Sequence, residues 1–271
     1  MGIVYAIVSG KGGVGKTTTT ANIGIGLAKE GKKVVLVDFD LGQRNLDLIL
    51  GLENRVIFDI VHVMDEEAGL KQALIKSKYS DNLFLLAASQ TKDKSVLEQA
   101  KVKKLIEKLK EEYDYVILDA PAGIESGFEH TIMYADAVIV VVNPEVSSIR
   151  DADKAIGIVD AKCERVKENK TVQKFLIINR INPAMVTSGD MLESGDILDI
   201  LDIDLLGKIP EDRLIVESSN TGKPVILNDK SAAGSAYTRI SKRLCGENIP
   251  FEDIETFNSP SLMVKLKGLF Q

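Results

Sequence analysis

An apolar run, Ile3–Val8, is followed after Ser9 by Gly10-Lys11-Gly12-Gly13-Val14-Gly15-Lys16-Thr17. No other feature of the chain restricts its folding as strongly. The run asks for a buried strand, and the glycines ask for a tight turn from strand to helix whose backbone N–H groups face inward. Lys16 is then placed to meet the β and γ charges of a nucleoside triphosphate, and Thr17 to offer its hydroxyl to magnesium. Gly10, Lys11, Gly12, Gly13, Val14, Gly15, Lys16, Thr17 and Thr18 are therefore the expected phosphate-binding residues. The same letters contain a G-x-G-x-x-G at Gly10, Gly12 and Gly15, with Asp38 ending a second apolar run roughly 20 residues on, as in dinucleotide-binding folds. Lys16 and Thr17 decide against that reading, because a pyrophosphate resting on helix-terminal amides needs neither a lysine nor a metal-binding hydroxyl there.

The rest of the chain must supply a fold around this loop. Its 271 residues are 45% hydrophobic, enough for one large α/β domain or two small ones. Short apolar runs recur at Ile3–Val8, Val34–Asp38, 83–87, Tyr115–Asp119, Ala137–Val142, 175–179 and 205–209, mostly separated by segments of helical period. This alternation predicts a mostly parallel sheet, and the lack of polar alternation within the runs predicts helices on both faces. Ligand groups in such folds gather at the carboxyl ends of the strands. The glycine loop, Asp38 with Asp40, Asp119 with Gly123, and Asn179 all fall there.

A net charge of −6 and a pI near 5.2 disfavour a surface built for bulk nucleic-acid binding. Cys163 and Cys245 lie far apart, belong to no C-x-x-C pair, and suggest no disulfide framework or metal cluster. No stretch reaches the ~18 apolar residues of a membrane span, and the N-terminus enters strand sequence without a leader pattern. A cytoplasmic protein is expected. His62 and His130 have no ligand-spaced neighbours and read as structural or surface residues.

Asp119 closes the run Val116-Ile117-Leu118 before Ala120-Pro121-Ala122-Gly123, as expected for the carboxylate on the magnesium side of a P-loop fold. Asp38 and Asp40 stand two apart as the second strand ends, so both can face the crevice, one toward the metal and one toward the attacking water. Lys11 is harder to place. A second lysine beside Lys16 adds like-charge repulsion unless further anionic charge arrives.

The pattern G-K-G-G-x-G-K-T resembles the deviant Walker A motif of the ParA/MinD ATPases, in which the early lysine reaches the nucleotide of a partner subunit. The resemblance, closest to the MinD-type members, continues end to end through Asp38-Phe39-Asp40, Arg44-Asn45-Leu46-Asp47, Asp119-Ala120-Pro121-Ala122-Gly123-Ile124-Glu125, Asn143-Pro144-Glu145 and Ile209-Pro210-Glu211-Asp212. It implies a single P-loop domain and an ATP-dependent homodimer with Lys11 acting in trans. It further implies that Lys16, Asp40 and Asp119 serve catalysis, with Asp40 orienting the water. Thr17, Asp38 and Asp119 would serve magnesium, Gly123 would donate its amide near the γ-phosphate, and Asn179 would recognise adenine. The implied partners are MinC, MinE and anionic inner-membrane lipids, in an ATP-driven choice of the septum site. Two other branches share the engine: DNA-segregation ATPases and flagellar-placement relatives. Arg239, Lys242 and Arg243 form a basic stripe that could serve the first, although a solvated helix face is the simpler expectation. Flagellar-placement relatives usually carry a glutamine-rich extension that has no counterpart here.

At the other end, residues 231–246 read as the last helix of a domain spanning 1–246. An acidic linker is expected over 247–258 and an amphipathic helix over 259–271. In that helix Leu262, Met263, Leu266, Leu269 and Phe270 form one stripe with Lys265 and Lys267 off it. By pattern alone that helix could dock on the domain's own core, although an acidic linker before a basic, apolar tail argues for release; the family resemblance implies a membrane-targeting helix. One such tail binds weakly, and two held in a dimer would gain about 10²–10⁴ in avidity, which would make the chain peripheral on the cytoplasmic face of the inner membrane.

Overall fold

Eight strands, Ile3–Val8 (β1), Val34–Asp38 (β2), Ile75–Lys76 (β3), Leu83–Leu86 (β4), Tyr115–Asp119 (β5), Ala137–Val142 (β6), Gln173–Ile181 (β7) and Asp204–Pro210 (β8), form one sheet of order β3-β4-β2-β5-β1-β6-β7-β8. The computed structural model describes residues 1–92, 96–124, 126–168 and 170–255. Every pairing is parallel except β3 with β4, a short antiparallel edge. The predicted strands are all present. β3 is additional, because two residues are too short a run to show periodicity.

The helices are Lys16–Lys29 (α1), Leu46–Leu50 (α2), Ile60–Met64 (α3), Leu70–Ala73 (α4), Gln99–Glu112 (α5), Ser126–Ile132 (α6), Val146–Lys162 (α7), Glu164–Lys167 (α8), Pro183–Ser188 (α9), Ser194–Leu201 (α10), Leu214–Thr221 (α11) and Ala232–Leu244 (α12). They cover both faces of the sheet. Val4, Ala6 and Val8 of β1 pack into one core with Leu105 and Leu109 of α5 and Ile149 and Ala152 of α7. Tyr5 and Ile7 point the other way, into a core with Ile23 and Leu27 of α1 and Tyr237 and Ile240 of α12. Period-2 side-chain alternation thus feeds two cores, so the strands read as apolar throughout. α1 and α12 approach closely at Gly26, where a Cβ would lie 2.0 Å from the Ser241 hydroxyl oxygen. A larger residue there would force the two helices apart.

The segment after α12 does not behave as a free tether. Arg243 donates to the carbonyls of Ile249 at 2.9 Å, Pro250 at 2.7 Å and Leu206 at 2.9 Å, and its guanidinium lies 4.2 Å from the Phe251 ring centre. Arg239 pairs with Glu252 at 2.6 Å, and Glu255 accepts from the Ser194 hydroxyl at the start of α10. The expected linker is, over residues 247–255, a strap bonded to the domain. Arg239 and Arg243 are correspondingly fixed rather than solvated. Acidic composition alone does not distinguish a tether from a strap; long-range partners do. Residues 256–258 and the amphipathic stripe at 259–271 lie outside the described residues. No helix among the described residues is long and apolar enough to cross a membrane.

Candidate nucleotide site

The loop between β1 and α1 ends at Gly15, which caps α1 with φ 101°, and no side chain or first-turn acid fills the amide end of that helix. Those N–H groups, with the helix dipole behind them, are a ready anion site. Gly15 is required twice: its φ lies in the left-handed region, and a Cβ there would meet the Asn179 amide nitrogen at 2.4 Å.

Three carboxylates and one lysine stand beside the loop. Parallel register sets Asp38 at the end of β2 directly opposite Asp119 at the end of β5. Lys16 is 6% exposed and Asp119 fully buried. Burial pulls the Lys16 ammonium below its ordinary value, against the attraction of Asp119 and Asp40. Burial pushes the Asp119 carboxyl up to about 6, opposed by the Lys16 charge and by the Thr17 and Thr20 hydroxyls and assisted by the Asp40 charge. Asp38 is driven well above the usual carboxylate range, first by burial and then by Asp119.

The two buried aspartates are bonded differently. Asp38 accepts the Asp40 N–H at 2.9 Å on one oxygen and the Leu46 N–H at 3.3 Å on the other, so it staples both ends of the 40–46 loop. Asp119 accepts the Thr20 hydroxyl at 2.9 Å through Oδ1, while its Oδ2 is buried with no partner. A buried carboxylate oxygen left without a donor is costly unless a ligand completes it. Hard oxygen donors crowded round one lysine suit magnesium. Thr17, Asp38 and Asp119 therefore fit the ion that the sequence implies.

The remaining predicted residues divide. Asn179 at the end of β7 is 3% exposed; its Nδ2 donates to the Val14 carbonyl at 2.7 Å, and its Oδ1 is buried without a partner. It braces the glycine loop and leaves only Oδ1 without a partner. The next residue, Arg180, has φ 59°, and the β7–β8 register shifts across this point. Gly123 turns at φ 79° in the segment that follows the carboxyl end of β5. Lys11 is exposed and bonds Glu145 and Ser147, each at 3.1 Å, at the start of α7. Its charge is thus met within one chain, by a partner that sequence spacing does not single out. Thr18 lies on α1, and its carbonyl accepts from Asn22.

Thr20, Glu145, Ser147 and Asn143 join the site without having been expected there. Asn143 has a buried, unpartnered Oδ1 just past β6, beside the other strand ends. Its position at the end of an apolar run is the signal that points to it. His62 bonds Asp59 within a capping box, a structural role. No cluster of three or more potential metal-ligating His, Cys, Asp or Glu residues occurs among the described residues.

An AAA-domain family profile matches residues 2–174. The septum site-determining protein MinD of Helicobacter pylori is 52% identical over 270 residues, covering 100% of both chains. Among solved structures, the MinC:MinD cell division protein complex of Aquifex aeolicus superposes with a TM-score of 0.84 at 45% identity, over 93% of this chain and 99% of that one. The MinD protein of Pyrococcus horikoshii complexed with Mg-ADP gives 0.78 at 30% identity, over 90% and 96%.

Proposed function

Because the chain belongs to the MinD family of septum-site-determining ATPases, we propose that its nucleotide site drives a membrane-associated switch that recruits a MinC-type division inhibitor and releases it on hydrolysis. The chain is a P-loop ATPase that uses magnesium with ATP, and it acts in septum-site determination. The observation that carries the site reading is Asp119: buried, held by one oxygen, and presenting the other beside Lys16 and the amide end of α1.

The chemistry follows from the groups in place. The α1 amides and Lys16 receive the phosphate charge, and withdrawal of Lys16 from water strengthens that attraction. Thr17, Asp38 and Asp119 would hold magnesium, which would supply neutralisation of the phosphate charge. Asp40, at the mouth of the crevice, orients the hydrolytic water. Its backbone is fixed by Asp38, so its placement does not depend on a floppy loop. Gly123 supplies an amide toward the γ-phosphate, and Asn179 offers Oδ1 to adenine.

Lys11 would leave Glu145 and Ser147 to reach the nucleotide of a second copy, which makes ATP the condition for a homodimer. The apolar stripe at 259–271 would then hold that dimer on anionic lipids at the cytoplasmic face of the inner membrane, and a MinE-type partner would stimulate hydrolysis there. A DNA-segregation role finds less support, because Arg239 and Arg243 are already engaged by Glu252 and by backbone carbonyls.

Co-sedimentation with anionic liposomes, using the full chain and a chain ending at Asn258 with magnesium and ATP or ADP, tests this reading. Binding with ATP alone, lost on truncation, is the expected result. Failure of the intact chain to bind with ATP would remove the membrane part and reopen DNA retention.

A further inference from the structure

Lys16, Thr17 and Thr20 are spaced i, i+1 and i+4 at the start of α1, so Thr20 lies one turn behind Lys16 and three residues behind Thr17, on the face turned toward the end of β5. Its neighbour Thr19 is spent elsewhere, on the Tyr237 hydroxyl of α12 at 3.1 Å. Thr20 is fully buried. In a helix interior a threonine hydroxyl ordinarily turns back to the carbonyl four residues earlier. That acceptor, the Lys16 carbonyl, is available at 3.1 Å, yet the hydroxyl also stands 2.9 Å from Asp119 Oδ1, where a charged acceptor makes the stronger bond.

The consequence lies in the asymmetry of Asp119. With Oδ1 held and Oδ2 unpartnered, the carboxylate cannot rotate without breaking its 2.9 Å hydrogen bond from Thr20. We propose that Thr20 is a positioning residue for the ATPase site: its hydroxyl fixes the Asp119 carboxylate so that Oδ2 faces the magnesium side, and α1 thereby sets both the phosphate-binding amides and the orientation of the carboxylate on β5. This rests on the reading of the crevice as a magnesium–ATP site. Outer groups that orient a metal-side ligand are typically worth about 10–100-fold in metal affinity, although Thr20 itself touches neither nucleotide nor metal.

The test is the tightening of ATP binding by magnesium, taken as the ratio of calorimetric affinities with magnesium and with EDTA, on the full chain. Thr20→Val and Thr20→Ala should each lose about tenfold of that ratio, with EDTA affinity held within about twofold of wild type. Thr20→Ser, which keeps the hydroxyl, should retain the wild-type ratio. An unchanged ratio in Val and Ala variants that melt as wild type overturns the proposal. So does an equal fall in both conditions, which would mark Thr20 as packing only, or a loss in Thr20→Ser matching that in Thr20→Val. If the wild-type chain itself shows no magnesium tightening, the site reading fails first, and the wild-type titration alone reveals it.

Discussion

Toward the carboxyl ends of β5, β6 and β7, buried polar groups are left incomplete: Asp119 Oδ2, Asn143 Oδ1 and Asn179 Oδ1 have no partner. Along α12 and β8 the opposite holds. Arg243 is satisfied by three carbonyls and an aromatic face, Arg239 by Glu252, and Glu255 by Ser194 and Lys208. Both regions are dense in charge. Only the first keeps charge out of water without finishing its hydrogen bonds, a cost that a fold tolerates where a ligand completes the set. Charge density therefore does not separate these two regions; incompleteness does. The strap is architecture, and the crevice is chemistry.

The largest effect that would sharpen this contrast is at Asp40. Asp40→Ala should lower ATP turnover at least about 100-fold while ATP affinity stays within about threefold, since general-base or water-orienting groups contribute 10²–10⁴. Single-turnover hydrolysis beside equilibrium binding checks it, and a matching loss of affinity would remove Asp40 from the water-orienting role.

A smaller effect, on stability, separates strain from support. The Asp119 pKa is raised from 3.8 to about 6, so this group stabilises the fold below pH 3.8 and that contribution is lost as pH rises through about 6. Asp119→Asn should accordingly melt above wild type in the absence of nucleotide. The margin should be small at pH 4.5 and grow to the order of 2 kcal/mol by pH 7.5. A margin that does not vary with pH would break the claim that the crevice stores uncompensated charge.

The strap should respond in the reverse sense. Arg243→Ala is expected to destabilise by about 1–2 kcal/mol through lost hydrogen bonds and ring contact, lowering Tm by roughly 2–4 °C, with ATP affinity untouched. A change in ATP affinity would mean that the two regions are coupled. The smallest effect belongs to Glu252→Ala, which removes an ion pair with one half-exposed member and should cost under about 1 kcal/mol. Both are read from the same melts.

Much of the crevice is legible in the amino-acid order because its parts are local. A strand run, a glycine turn, and a lysine and threonine in register each depend on neighbours a few residues away. Asp38, Asp119 and Asn179 stand out because they end apolar runs, a one-dimensional signal for a position at the sheet's carboxyl edge. Thr20 carries no such signal, because its importance depends on a carboxylate 99 residues away. Glu145 belongs to a recognisable motif, but nothing in that motif marks it as the partner that meets Lys11. Asn179 is legible as a strand-end residue, yet its grip on the Val14 carbonyl depends on how β7 stands beside the loop, and no spacing reveals that.

The amino-acid order by itself determined that this chain forms a doubly covered, mostly parallel sheet and that one loop of it cradles phosphate, since periodicity and backbone freedom are written into adjacent residues. The tertiary structure alone decided which oxygen of Asp119 is held and which is offered, that Lys11 rests on Glu145, and that residues 247–255 form a strap. Those outcomes turn on distances of about 3 Å between groups remote in sequence, and they are fixed only when the helices and strands carrying them are packed together.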